Sequence, residues 1–185
     1  MARPRCPECL TEYVKPVHRE SLQERLLSFL YVYPFCCQLC EHRFKFLYRE
    51  VNYLRAAEDR RTYERLPMNC PITFSRDGFQ SRGSIEDISM VGCKMLCEEI
   101  LAPGAILQMS LHVSDSIPPV RVHAGVVRNV RRRRAGVEFL QLKKTERDRL
   151  RDFIQASWAR RQVNETIALR GIPGSRWVRP TRSTS

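Results

Sequence analysis

The chain has 185 residues, 43% of them apolar, and a formal net charge of +12. That size holds one ordinary domain and a small one, and the apolar share is enough for a core, which excludes wholesale disorder. No stretch reaches the ~20 apolar residues of a membrane-spanning helix; the best, Leu26 to Cys37, is short and interrupted by Ser28 and Pro34.

From the N-terminus, Met1-Ala-Arg-Pro-Arg5 runs straight into a cysteine pair, leaving no room for a signal peptide's apolar region. A cytoplasmic location is therefore expected, where thiols stay reduced and paired cysteines favour metal over disulfides. Cys6-Pro-Glu-Cys9 and Cys37-Gln-Leu-Cys40 are C-x-x-C pairs. Each supplies two sulfurs from one tight turn, and four thiolates so paired suit a closed, structural, tetrahedral zinc site. Cys6, Cys9, Cys37 and Cys40 are the expected ligands, with Cys36 a bystander beside Cys37. A redox role needs a βαβ setting that this segment lacks. The pattern resembles a zinc ribbon, with Tyr33-Pro-Phe-Cys-Cys37 leading to His42-Arg-Phe44 as second knuckle and following strand. The pairs are separated by 27 residues, against the usual ~15–20. A helical insertion closes that gap: Ser21-x-x-Glu24 is a capping box ahead of Leu22, Leu26, Phe29 and Leu30, the apolar side of a short amphipathic helix.

Residues 1–48 thus form the ribbon-like unit, and 49–60 read as a charged, helix-compatible linker with Val51, Tyr53 and Leu54 as its apolar members. Next comes Arg61-Thr-Tyr-Glu-Arg65, then one short strand, then Asp87-Ile-Ser89-Met-Val-Gly92. Arginine presents a planar fork of donors that matches phosphate oxygens in pairs and stacks on flat rings. The Asp/Ser/Gly stretch offers short acceptors, donors and unobstructed backbone. Alternating runs follow at Ile106–Val113, Val120–Val130 and Ala135–Leu140, separated by Pro103-Gly104, by 114–119 and by the arginine run 131–134. Thr145-x-x-Asp148 precedes Leu150, Phe153, Ile154 and Trp158 at helical spacing, a stripe expected to pack on the strands. Past Arg160 the periodicity is lost; residues 159–185 read as a basic tail, and 142–185 carry +7 of the net charge.

RxxxR followed by DxSxxG, inside a strand-rich run that ends in Gly136-Val-Glu-Phe139 and a helix, resembles the PilZ domain, a family of bacterial receptors for cyclic di-GMP. RxxxR alone carries no weight in so arginine-rich a chain; the ordered pair does. The resemblance covers roughly residues 60 to 153. It implies a mainly β protein, a small antiparallel PilZ-type barrel with a C-terminal helix over residues 61–158, preceded by the ribbon. It also implies that Arg61 and Arg65 take phosphate and the guanine O6/N7 edge, an edge that arginine meets with two parallel bonds. Asp87 would accept from guanine N1–H and N2, Ser89 would bond ligand polar atoms, Gly92 would permit the turn, and Arg60 would add a phosphate contact.

Catalysis finds no support: His18, His42, His112 and His123 are scattered, and no P-loop or GxGxxG occurs. Three functions stay open. The first is a cytoplasmic cyclic di-GMP sensor that relays the messenger to a protein partner as the arginine segment orders. The second is a nucleic-acid-binding regulator using the ribbon, Arg131–Arg134 and the tail, recognisable by salt-dependent binding that ignores Arg61. The third is a ligand-free adaptor acting by protein contacts.

Overall fold

The computed structural model describes residues 3–49, 61–114 and 118–170. The expected linker, with Arg60, and the tail beyond 170 lie outside the described residues, apart from Arg49.

The N-terminal sheet is β1 (Val14–Pro16), β2 (Val32–Cys37) and β3 (Arg43–Leu47), antiparallel in that order. Helix α1 (Leu22–Ser28) occupies the long β1–β2 connection. Its capping box forms: Ser21 Oγ accepts from the Glu24 N–H at 3.2 Å, and Glu24 Oε2 accepts from the Ser21 N–H at 3.5 Å. The same carboxylate takes the Glu20 N–H at 2.8 Å and Arg43 Nη2 of β3 at 2.8 Å. Burial alone would push Glu24 up, yet these donors hold its carboxyl below the ordinary value. The expected apolar side of α1 is not buried. Leu22, Leu26, Phe29 and Leu30 are 75%, 67%, 81% and 66% exposed. A seven-residue helix cannot hold itself together in water; here the buried Glu24, not a leucine stripe, ties it to the sheet.

The barrel strands are β4 (Leu66–Arg76), β5 (Phe79–Ser89), β6 (Gly92–Cys97), β7 (Ile106–Leu111), β8 (Val120–Arg131) and β9 (Arg134–Gln141). They close in the order β4-β5-β6-β9-β8-β7, with β7 returning to β4. Between the two motifs stands a hairpin of two 11-residue strands rather than one short strand. Its turn is Asp77-Gly78, with φ of 53° and 86°. Positive φ at both central residues gives a turn whose twist matches the flanking strands, and Asp-Gly suits it. Ile72, Phe74, Ile85, Ile88, Met95, Leu107, Leu111, Val120, Val122 and Val137 fill the interior by alternation.

Helix α2 (Lys144–Arg170) closes one end. Leu150 and Ile154 are buried in the core, and Phe153 and Trp158 pack against it, as the stripe predicts. The helix runs beyond Arg160, where the apolar period stops. Good helix formers continue there, and the first stop signal is Gly171. Trp158 also stacks on Tyr13 of the ribbon at 4.9 Å, and Arg147 pairs with Glu41 at 2.7 Å, so α2 bridges the two units.

Gly92 sits where β6 crosses closest to β9: a Cβ there would lie 2.4 Å from the Val137 carbonyl oxygen. Backbone cannot yield as a side chain can, so Gly92→Ala is expected to lower unfolding free energy by about 1–3 kcal/mol, measured by urea denaturation of the full chain.

Candidate functional site

The β4–β5 hairpin explains the motif spacing. Leu66 pairs with Ile88 and Pro67 with Asp87, so the chain folds back and lays the end of RxxxR over the start of DxSxxG. Arg65 Nη1 meets Asp87 Oδ1 at 3.0 Å. From Asp87 a row of directly paired residues crosses four strands: Asp87 with Lys94, Lys94 with Gly136, Gly136 with Asn129. Paired residues share a face, and this row faces out of the barrel, opposite the buried Cys93 and Met95. It forms the floor of a cleft of about 770 Å³ walled by Arg61 and Arg65 on one side and Arg131, Arg132 and Arg134 on the other.

Each wall has a local cause. Residues 61–65 carry no strand pairing, so Arg61 and Arg65 reach in from a loop. Arg131 to Arg134 is the tight β8–β9 turn, where Arg131 pairs with Arg134 and Arg132 has φ 56°. A left-handed non-glycine residue costs about 1–2 kcal/mol, so the turn spends stability to present arginines. Arg134 and Lys94 share Glu86, at 2.7 Å and 2.8 Å; those two cations hold the half-buried Glu86 carboxyl below its ordinary value. Arg131 and Arg132 have no ion pair among the described residues. Gly136 keeps the floor low, since a Cβ there would sit 2.9 Å from the Asn129 amide.

The structure thus gathers Arg61, Arg65 and Asp87. Ser89 and Gly92 are elsewhere. Ser89 is 4% exposed and donates its hydroxyl to the Gly92 carbonyl at 3.2 Å, closing the β5–β6 turn. Gly92 serves the β6–β9 approach described above. Lys94, Asn129, Arg131, Arg132, Arg134 and Gly136 were not anticipated as lining residues. The arginine run was legible as a hairpin turn, but its place beside the motifs depends on β9 pairing with β6 across the barrel.

The second constellation is complete. Sγ atoms of Cys6, Cys9, Cys37 and Cys40 all lie within 4.8 Å of one another, with Cys6–Cys40 and Cys9–Cys37 at 3.5 Å. Four thiolates about 2.3 Å from one zinc stand roughly 3.8 Å apart, so the set fits that ion. Both knuckles end alike, with left-handed Leu10 after Cys9 and Glu41 after Cys40. The N–H groups of Leu39 and Cys40 point at Cys37 Sγ, both at 3.4 Å. Cys36 turns away, towards the Cys37 and Glu41 carbonyls. Burial pushes the Cys37 thiol up and Cys40 up to about 11, whereas at Cys6 the N–H groups of Cys9 and Glu8 outweigh burial and hold it low. A bound cation would displace the remaining protons.

The family model described as the PilZ domain matches residues 59–156, over half the chain. The chain belongs to the PilZ domain family. Among solved structures it is similar to the PilZ domain of CeSA from a cellulose-synthesizing bacterium, at 14% identity and TM-score 0.40, covering 52% of this chain and 96% of that one. It is similar also to an uncharacterized Legionella protein, at 19% identity and TM-score 0.37, covering 54% and 99%. A third is the Bacillus subtilis inhibitor of motility, at 14% identity and TM-score 0.47, covering 72% of this chain and 65% of that one. A search of curated proteins finds no match.

PilZ domains are binding and adaptor modules. Here the Arg65–Asp87 pair, 29% and 22% exposed, is worth no more than about 1 kcal/mol. Asp87→Ala is therefore expected to cost about that much in unfolding free energy by urea denaturation, and less in high salt.

Proposed function

We propose that this PilZ protein is a cytoplasmic, non-enzymatic receptor for cyclic di-GMP, and that Cys6, Cys9, Cys37 and Cys40 hold one structural zinc. The observation that carries the receptor reading is the convergence of Arg61, Arg65 and Asp87 on one cation-rich cleft. Its volume of about 770 Å³ falls within the ~300–1,000 Å³ of small-molecule sites. Two phosphodiesters meet the arginines; a guanine offers its O6/N7 edge to an arginine fork and its N1–H and N2 donors to Asp87. Ser89 and Gly92 shape the turn beneath, and Arg131 and Arg132 close over the ligand from the far wall. Arg60 directly precedes the loop and adds a phosphate contact.

Among the described residues no helix is long and apolar enough to cross a membrane, and all eight cysteines are free thiols, which suits a reducing compartment. Ligand closing on the arginine loop changes how ribbon and barrel face one another, and a protein partner reads that change. Arg131, Arg132 and Arg134, one of the three supports for a nucleic-acid partner beside the ribbon and the tail, line the same cleft.

Calorimetric titration of zinc-loaded protein with cyclic di-GMP tests the receptor. Binding at micromolar affinity or tighter is expected, weakened ten- to a hundredfold (about 1.5–3 kcal/mol) in Arg61→Ala, Arg65→Ala and Asp87→Ala. No heat and no thermal shift at high ligand concentration would sink the reading. For the metal, elemental analysis should return one zinc per chain, and chelation should unfold the ribbon, as judged by loss of amide protection in β1–β3, while the barrel strands stay protected.

A further inference from the structure

The arginine loop cannot satisfy its own backbone. Residues 61–65 lack strand pairing, and partly covered N–H and C=O groups need partners. The cysteine knuckle supplies them. Gln38, inside Cys37-Gln-Leu-Cys40, is only 3% exposed although polar. Its Oε1 accepts the Glu64 N–H at 2.6 Å, and its Nε2 donates to the Thr62 carbonyl at 3.2 Å and to the Cys36 carbonyl at 3.1 Å. Lys15 of β1 donates to the Arg61 carbonyl at 2.8 Å. Arg61, Thr62 and Glu64 are thereby tied to the ribbon, and Arg65 to Asp87 on the barrel.

None of these ribbon groups lines the cleft itself, so they act through the loop. Gln38 is aimed by its own turn, which Cys37 and Cys40 fix at either end; its N–H is spent on the Tyr13 carbonyl at 3.0 Å. A metal held by Cys37 and Cys40 would fix this turn and with it the direction of the Gln38 amide.

We propose that Gln38 is a positioning residue for the ligand cleft, and that metal occupancy of the Cys6/Cys9/Cys37/Cys40 site sets how well Arg61–Arg65 is organised to bind. The identity of the ligand rests on the receptor reading above; the coupling of knuckle to loop does not. A rigid loop binds more tightly because less ordering remains to be done on binding. Linkage makes the effect reciprocal, so ligand tightens metal by the same factor.

The test uses the full chain, wild type and Gln38→Ala, each zinc-loaded and chelated. Hydrogen exchange at the Glu64 amide and calorimetric affinity for cyclic di-GMP are measured together. Gln38→Ala keeps all four thiols, so it should still hold one zinc and retain barrel protection. Glu64 is expected to exchange at least tenfold faster in it, and cyclic di-GMP to bind at least fivefold more weakly, within the ~5–150-fold range of coupled sites. Chelation, which unfolds β1–β3, should produce both changes in wild type and a smaller further change in Gln38→Ala, where the Lys15 bond to the Arg61 carbonyl is the ribbon tie left to lose. If wild type binds no cyclic di-GMP yet Glu64 protection follows both metal and Gln38, the receptor reading fails and the coupling stands. A chain that carries no zinc, unchanged Glu64 exchange in Gln38→Ala, or equal affinity with and without metal overturns the proposal.

Discussion

Like-charge crowding is the constraint around which the rest is arranged. Arg61, Arg65, Lys94, Arg131, Arg132 and Arg134 surround one cleft whose lining, among the described residues, contains a single carboxylate, Asp87. Unit charges 4 Å apart interact by about 1 kcal/mol in water and several times that near a protein surface. A flexible surface would relieve this by splaying the side chains. This one cannot do so freely, because the floor is a row of ladder-paired residues on a closed barrel and one wall is a two-residue turn. Glu86 partly compensates from outside the lining by holding both Lys94 and Arg134. The residual positive field is what an anion would complete.

The two walls are fixed by different means. The Arg131–Arg134 wall is built into the strand ladder, so its position is as firm as the barrel. The Arg61–Arg65 wall precedes β4 and has no ladder of its own; it is held by side chains of the ribbon and by one ion pair to Asp87. Local stability falls where backbone hydrogen bonds are few and partly exposed. The more weakly held wall is therefore the one whose support comes from a second unit. That unit is itself small and gathers four cysteines at one point.

Motifs whose chemistry depends on near neighbours were legible in the sequence. The C-x-x-C pairs converge, the capping box at Ser21 forms, the Leu150/Ile154 stripe seals the barrel, and the three later strands fall within a few residues of their expected places. What stayed hidden depends on non-local pairing or on competition for burial. The β4–β5 hairpin was missed although Asp77-Gly78 flanked by β-formers is a strong turn signal. Reading the stretch as one strand leaves no fold-back to bring Arg65 onto Asp87. The arginine turn was seen as a turn, but only barrel closure sets β9 beside β6 and so places it on the cleft. Ser89 looks like a ligand donor by type; its burial under the turn is a packing outcome that composition does not carry. The leucines of α1 show the converse, since a correct helical period gave the wrong buried side once a short helix was anchored through Glu24.

The Arg65–Asp87 contact decides how such a site could open. In the ligand-free chain each of these side chains is the other's partner at 3.0 Å, and the proposed ligand would ask both for other bonds. A partly exposed ion pair is worth at most about 1 kcal/mol, whereas each charge-assisted bond to a phosphate or guanine contributes roughly 1.5–3 kcal/mol. Exchange therefore favours the ligand even if the pair is lost outright, and more so if Arg65 keeps one donor on Asp87. The pair is strong enough to keep the loop end in place and stop the arginine from wandering in an already crowded field. It is too weak to compete with the anion proposed for this cleft.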